Sequence, residues 1–430
     1  MKKIRTIKSF ALVLLFVLAL AFSSCAIFET PKGISKTEIN ELGELVITYT
    51  DGSQENLGVI VGQDGKDGVD GKDGDYIAAE KDKVIEAASA KALTSSVSIY
   101  CGFERTVYGQ PQAYASAGSG VIYKLDKTSG DAFVITNYHV VYDPNCNASN
   151  GISEEIYVYL YGSELESYAM KAEYVGGSLS YDIAVLRIEN SDVIKNSGAN
   201  PVSIFNSDEI NVGESAIAIG NPEGMGFSTS LGIVSVDSEY INMLGADEQT
   251  AVNFRVMRID TAVNSGNSGG GLFNQEGELI GIVNAKIQSE DVENIAYAIP
   301  SNLAKAVADN IIYYCLDTDV YQPQRPLMGI TIQVTDSHAE YDSENERIKI
   351  VEKITIISVE PGSAAYGVFK EGDVLKSASF GAETYEITRM HSVDFMLNVR
   401  SGETVSFTVE RNGVEKTLEL TIQNSDLIPS

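Results

Sequence analysis

The chain has 430 residues, 44% of them hydrophobic, which suffices for two or three folded domains with cores of their own. Its formal net charge of −29 excludes a nucleic-acid partner, which demands a basic face, and sets the chain against anionic lipid surfaces. It contains no Cys-x-x-Cys pair, no Cys/His spacing suited to zinc, and no Walker or dinucleotide-type glycine loop, so no metal and no cofactor is expected.

Residues 1–24 open with Lys2, Lys3, Arg5 and Lys8 and continue into an apolar run from Phe10 to Phe22, the layout of a secretory signal. Small residues then lead directly into Cys25. This resembles a bacterial lipoprotein signal, in which Cys25 carries the lipid and becomes the mature N-terminus; an uncleaved membrane anchor is the alternative. Either places the folded part on the extracytoplasmic face of a cell membrane. Residues 25–76 read as a stalk. A small hairpin is expected over residues 38–61, turning at Asp51-Gly52. A tract over residues 62–74 then repeats glycine every third position five times, the collagen period, but without proline. It reads as an extended polar spacer, or as a local triple helix if three chains converge.

An alanine-rich helix is expected over residues 78–93. Residues 95–298 alternate short β-type runs with glycine turns, as an all-β double barrel requires. A helix follows over residues 302–316, after the start signal Pro300-Ser301, and then a linker over 317–326.

Three segments in the β region carry chemistry. Gly266-Asn267-Ser268-Gly269-Gly270 is a glycine-flanked serine. A serine hydroxyl needs a neighbouring base, and of the three histidines only His139, in Thr136-Asn137-Tyr138-His139, lies upstream of residue 338. Asp182, heading Asp182-Ile183-Ala184-Val185-Leu186, supplies a carboxylate to orient the imidazole and stabilise its charged form. The backbone amides of Gly266 and Ser268 can converge on an oxyanion through a tight glycine turn. The chain order His, Asp, Ser is that of the chymotrypsin-like double β-barrel.

At these residues the chain resembles the HtrA/Deg family of trypsin-like serine proteases. The likeness extends to Gly118-Ser119-Gly120-Val121-Ile122, Ala218-Ile219-Gly220-Asn221-Pro222, Gly232-Ile233-Val234-Ser235 and Ala298-Ile299-Pro300-Ser301-Asn302. The resemblance implies a protease domain over residues 77–318 with His139, Asp182 and Ser268 as its triad. It also implies an S1 pocket lined by Ala262, Val283 and Ala285, and a homotrimer. With Ala262 and no acid at the pocket floor, a basic P1 side chain would be buried unpaired, so small aliphatic P1 residues are expected. The chain departs from the family in having Ser265 and Gly271 where proline is usual, and Tyr138 where asparagine is common.

Residues 326–425 resemble a PDZ domain, in which Leu327-Met328-Gly329-Ile330 would capture a peptide's C-terminal carboxylate. A helix around residues 391–400 would flank the groove, and the peptide would add a strand beside residues 331–334. Of the cysteines beyond Cys25, Cys101 and Cys146 could pair, or all three could stay reduced. The expected fold is therefore mainly β: a chymotrypsin-like double β-barrel followed by a PDZ domain, preceded by a hairpin and a collagen-like spacer. The expected function is a lipid-anchored serine endopeptidase that cleaves unfolded or damaged envelope proteins and binds C-terminal peptides at its PDZ domain. The alternatives are a weakly active or inactive chaperone or adaptor that binds unfolded C-termini, and a surface adhesin built on the stalk.

Overall fold

The computed structural model describes residues 33–59, 74–163, 165–285, 295–343 and 347–429. The signal, Cys25 and residues 62–73 of the glycine tract lie outside the described residues. The chain divides into two compact units, residues 1–77 and 78–430.

In the first unit, strands β1 (Ile34–Ile39), β2 (Glu44–Tyr49) and β3 (Gln54–Val59) form an antiparallel three-stranded sheet. The expected hairpin is β2–β3, turning at Asp51-Gly52 with Gly52 at φ 82°. β1 adds a strand that the sequence reading lacked. Its two apolar residues, Ile34 and Ile39, stand five apart, out of step with a two-residue period, and all six side chains are exposed, so no alternation marks it. A polar turn joins it to β2: the Asn40 side chain accepts from the amides of Leu42 and Glu44 at 2.9 and 3.0 Å.

The second unit is built on two closed six-stranded barrels. A helix, Gly74–Leu93, leads into the first: β4 (Ser96–Val107), β5 (Gln110–Asp126), β6 (Asp131–Thr136), β7 (Glu155–Leu160), β8 (Met170–Ser178) and β9 (Ile183–Ile188). The other comprises β10 (Ser215–Gly220), β11 (Ser228–Leu244), β12 (Ala251–Ile259), β13 (Gly271–Phe273), β14 (Leu279–Asn284) and β15 (Ala296–Pro300). Closure removes sheet edges, and a helix that packs on the outside of β9 and β14 covers their other face, so β14 reads as an apolar run ending at Asn284 and β9 as one broken only by Arg187. The helix Ser301–Cys315 buries Leu303, Val307, Ile311 and Cys315, a stripe of spacing four. It packs across β8 and β9 of one barrel and β14 and β15 of the other. Cys101, Cys146 and Cys315 are all free thiols, and burial pushes Cys101 and Cys315 up to about 12.

Beyond this helix the expected linker ends in β16 (Gln324–Pro326), which pairs with β23 (Leu427–Pro429) at the end of the chain. Between them β17 (Ile330–Asp342), β18 (Arg347–Val359), β19 (Val374–Phe380), β20 (Glu383–Glu386), β21 (Thr404–Arg411) and β22 (Val414–Thr421) form one sheet with β17 at an edge. The helix expected over residues 391–400 is instead a run of 3₁₀ turns, Met390–Asn398. This run is buried on several sides. Phe395 and Met396 enter the sheet's core, while Leu397 joins the barrel core and gives its carbonyl to the Asn310 side chain at 2.6 Å. An α-helix with one apolar stripe could not serve both sides.

The same run docks on the second barrel through charge. Arg255 of β12, only 4% exposed, donates to Asp394 and Asp208 at 2.7 and 2.8 Å, and Arg389 donates to Asp237 at 2.7 Å. His391 is buried beside them, its Nε2 3.6 Å from Asp208. Burial first, and Arg255 and Arg389 second, press His391 down from 6.5 to about 3, against the pull of Asp208. Unfolded, His391 binds a proton as pH falls through about 6.5; folded, it stays neutral until about 3. Its contribution is therefore complete above pH 6.5 and declines as pH falls toward 3. Denaturant midpoints at pH 7.5 and about pH 5 should show this loss, and His391→Gln should reduce the difference. An undiminished difference in the variant would assign the acid sensitivity elsewhere.

Candidate active site

The site lies where the two barrels meet. β6 ends at Thr136, buried Asn137 donates to the carbonyl of Asp182 at 2.9 Å, and the short helix Tyr138–Val141 then presents His139. Asp182 precedes β9 at φ 48°, a left-handed conformation unusual for a side chain with a Cβ, held here by the bonds to its carbonyl and carboxylate. The carboxylate grips His139 twice: Oδ1 accepts from the His139 amide at 3.0 Å, and Oδ2 lies 2.7 Å from Nδ1. Oδ2 also accepts from the Asn284 side chain at 2.7 Å. With Nδ1 fixed on Asp182, the other ring nitrogen is the one left to exchange a proton.

Ser268 is buried, and its hydroxyl accepts from the Ala285 amide at 3.2 Å. Among the described residues no hydrogen bond joins it to His139. The two segments nevertheless touch: a Cβ on Gly269 would lie 2.2 Å from Thr136 Oγ1 and 3.0 Å from the Asn137 nitrogen. That contact, with φ at 83°, explains why only glycine follows the serine. The structure thus brings His139 and Asp182 together and packs the Ser268 segment against the strand end that precedes His139.

Gly266 adopts φ 93° and passes so close to the 221–223 turn that a Cβ would meet Asn221 O at 2.3 Å. Among the described residues neither the Gly266 nor the Ser268 amide has an acceptor, which leaves both donors available to an anion. The loop is held by Ser119 of β5. Its amide donates to Ser268 O at 2.9 Å; its hydroxyl donates to Gly266 O at 2.7 Å and accepts from Asn221 N at 2.8 Å; its carbonyl accepts from Thr136 at 2.7 Å. The sequence reading gave neither Ser119 nor Asn284 a role of its own. Each left a signal: a hydroxyl inside Gly118-Ser119-Gly120, and one polar side chain ending the apolar run of β14.

The profile of the trypsin-like peptidase domain matches residues 118–282. Serine protease Do-like HtrA of Lactococcus lactis is 33% identical over 328 residues, covering 72% of this chain and 71% of its own. The chain belongs to the HtrA family of serine proteases. The Bacillus subtilis Do-like HtrA is 32% identical over 320 residues, 73% of this chain and 64% of its own. Among solved structures, the HtrA-type protease AlgW with tripeptide is 26% identical and aligns with a TM-score of 0.51, covering 80% of this chain and 98% of that one. This chain is accordingly a serine endopeptidase of the HtrA type.

Two of its three departures from the HtrA pattern, Gly271 and Tyr138, have local reasons, and nothing in the structure explains Ser265. A Cβ on Gly271 would meet the Phe273 ring at 2.4 Å, so proline there is incompatible with the large ring two residues on. Ser265 bonds through its carbonyl to the Glu223 amide at 2.8 Å, a bond proline could also accept. Tyr138 stacks on Tyr142 with ring centroids 4.9 Å apart, over Gly177, which has no side chain to obstruct it. The residues expected at S1 take different positions: Ala262 is exposed, Val283 lies in the second barrel's core, and Ala285 is buried with its amide on Ser268. In the expected carboxylate loop, the Leu327 amide is already bonded to Asp426 O at 2.7 Å, and Gly329 turns at φ 76° against Ser363. Among the described residues the Met328 and Gly329 amides have no acceptor. Ile330 starts edge strand β17.

Ser119→Ala strands the Gly266 carbonyl and the Asn221 amide in the interior, at a cost of about 1–3 kcal/mol. It should lower both the unfolding midpoint and the rate of proteolysis. A variant with wild-type rate and midpoint would show that the loop holds itself.

Proposed function

We propose that His139, Asp182 and Ser268 form the catalytic triad of this endopeptidase, with the Gly266 and Ser268 amides as its oxyanion donors. The observation that carries the reading is the two-point grip of Asp182 on His139. His139 takes the Ser268 proton as the hydroxyl turns from the Ala285 amide and attacks the scissile carbonyl. The oxyanion then develops against the two unpaired amides. The protonated imidazole, stabilised by Asp182, returns the proton to the leaving amine, and water releases the acyl group by the same path reversed. No cofactor enters any step.

In this reading residues 77–318 form the protease domain and residues 326–425 a PDZ domain that binds C-terminal peptides at Leu327, Met328, Gly329 and Ile330 and regulates cleavage. Two unpaired amides and a free strand edge at β17 support it. The substrates are unfolded or damaged envelope polypeptides cut after small aliphatic residues, a reading supported by the small side chain of Ala285, whose amide bonds to Ser268. Residues 1–24 direct the chain outward and Cys25 anchors it to the membrane as a lipoprotein on the extracytoplasmic face. The likeness to the periplasmic pH-dependent serine endoprotease DegQ of Escherichia coli, 31% identical over 317 residues, fits that placement. The working assembly is a homotrimer, as the family resemblance implies.

A second reading has its own observation: Ser268 bonds to Ala285 and not to His139, as a binding protein with the protease fold would also permit. Catalytic hydrogen bonds often form only with substrate bound, which favours the first reading. The test is digestion of casein by the purified chain beside Ser268→Ala. Cleavage is expected to stop in the variant, and new C-termini should end in Val, Ala or Ile. A fluorophosphonate probe should label the wild type alone. An unlabelled Ser268 with no cleavage would leave the chaperone or adaptor reading.

A further inference from the structure

A cavity of about 790 Å³ opens on the first barrel, between the outer half of the β4–β5 pair and the segment that follows His139. None of its lining residues takes part in the chemistry above. One wall is aromatic: Phe103 and Tyr114 stack with ring centroids 5.6 Å apart. Three carboxylates, those of Glu104, Glu154 and Glu155, also line it. Glu104 is engaged by Asn147 at 3.0 Å, whereas the carboxylates of exposed Glu154 and Glu155 have no ion pair or hydrogen bond among the described residues. Gly102 makes room for one of them, since a Cβ there would lie 2.9 Å from Glu155 Oε2. Arg105 lies over the Tyr114 ring at 5.1 Å and makes no ion pair among the described residues.

One strand joins the cavity to the site. β5 runs from Tyr114 and Ala115 past Ser116, which bonds to Val140 O at 3.5 Å, to Ser119, which holds Ser268 O. Four residues of extended chain span about 13 Å. The expected S1 residues and both oxyanion donors belong to the second barrel, so the acyl half of a substrate lies there. The leaving half departs past His139, over the first barrel. At about 3.3 Å per residue, the third or fourth residue after the scissile bond reaches the cavity.

We propose that this cavity is a leaving-side subsite that selects a lysine or arginine in the substrate chain, an inference that rests on the triad reading. The side chain's aliphatic stem lies along the Phe103–Tyr114 wall and its cationic head reaches Glu154 and Glu155 at the rim. An acidic residue at the same position is repelled by two uncompensated carboxylates. An endopeptidase with this subsite cuts small aliphatic positions that lie a few residues before a base.

Internally quenched peptides identical except for Lys, Ala or Glu at the third and fourth positions after the scissile bond test the idea. At low salt kcat/KM should favour Lys over Ala about three- to fivefold, the range of partly exposed charge pairs, with Glu below Ala. The double variant E154Q/E155Q should bring the three peptides within about twofold of one another. Equal values in the wild type, or a Lys preference that survives in E154Q/E155Q, would overturn the subsite. A parallel binding measurement uses the same peptides, fluorescently labelled, on Ser268→Ala and on Ser268→Ala with E154Q/E155Q. Lys-selective binding lost in the second supports the subsite even if no peptide is cleaved, an outcome that would instead defeat the triad reading. Equal binding of Lys and Glu peptides overturns the subsite on its own.

Discussion

The active site depends on a single residue of the first barrel, Ser119, crossing to the second. Its amide, hydroxyl and carbonyl fix the carbonyls of Ser268 and Gly266, the amide of Asn221 and the hydroxyl of Thr136. Each barrel alone holds half of the proposed site: His139 and Asp182 on one, Ser268 and the unpaired amides of Gly266 and Ser268 on the other. Short bonds from one buried side chain and its backbone turn two closed barrels into one reaction centre. Asn284 works in the opposite direction, reaching from the second barrel to Asp182 of the first. The segments of Ser268 and His139 are thereby referenced to each other through two buried side chains.

The sequence made the chemistry legible because chemistry restricts residue type at fixed spacing. A lone upstream histidine, an aspartate before an apolar strand and a serine among glycines have few other joint explanations. The barrels were legible for a related reason: short β-type runs with glycine turns have few closed solutions. What escaped was of two kinds. β1 escaped because a strand exposed on all its side chains carries no periodicity. The Met390–Asn398 run escaped because its conformation is set by two partners at once, the sheet core and the helix Ser301–Cys315. Local pattern predicts a helix where one face is buried, and here there is more than one. Ser119 and Asn284 were visible as residues, but their roles emerge only when distant strands are brought together.

The glycine at position 271, where proline is usual, illustrates how a departure can be compensated. Phe273 fills the space beside Gly271 that a pyrrolidine ring would need, and it is fully buried in the core shared with the helix Ser301–Cys315. The glycine is thus the partner of a larger core residue. Restoring proline alone would overpack the site, a change that costs about 1–3 kcal/mol in a tight interior.

The way the C-terminal sheet is attached has a consequence for dissecting the molecule. Asn310 satisfies both ends of its amide on Gln324 and Leu397, Arg255 is neutralised in part by Asp394, and the last strand of the chain pairs with the segment just after the barrels. A chain cut at residue 318 would leave Asn310 without those three bonds and a nearly buried guanidinium short of a counter-charge. Such a fragment is a different molecule, with a newly wetted polar face, and its behaviour would report on that damage as much as on the loss of the sheet. Point changes on the sheet's own edge leave this seam intact, and they are the cleaner way to ask what the sheet does for the protease.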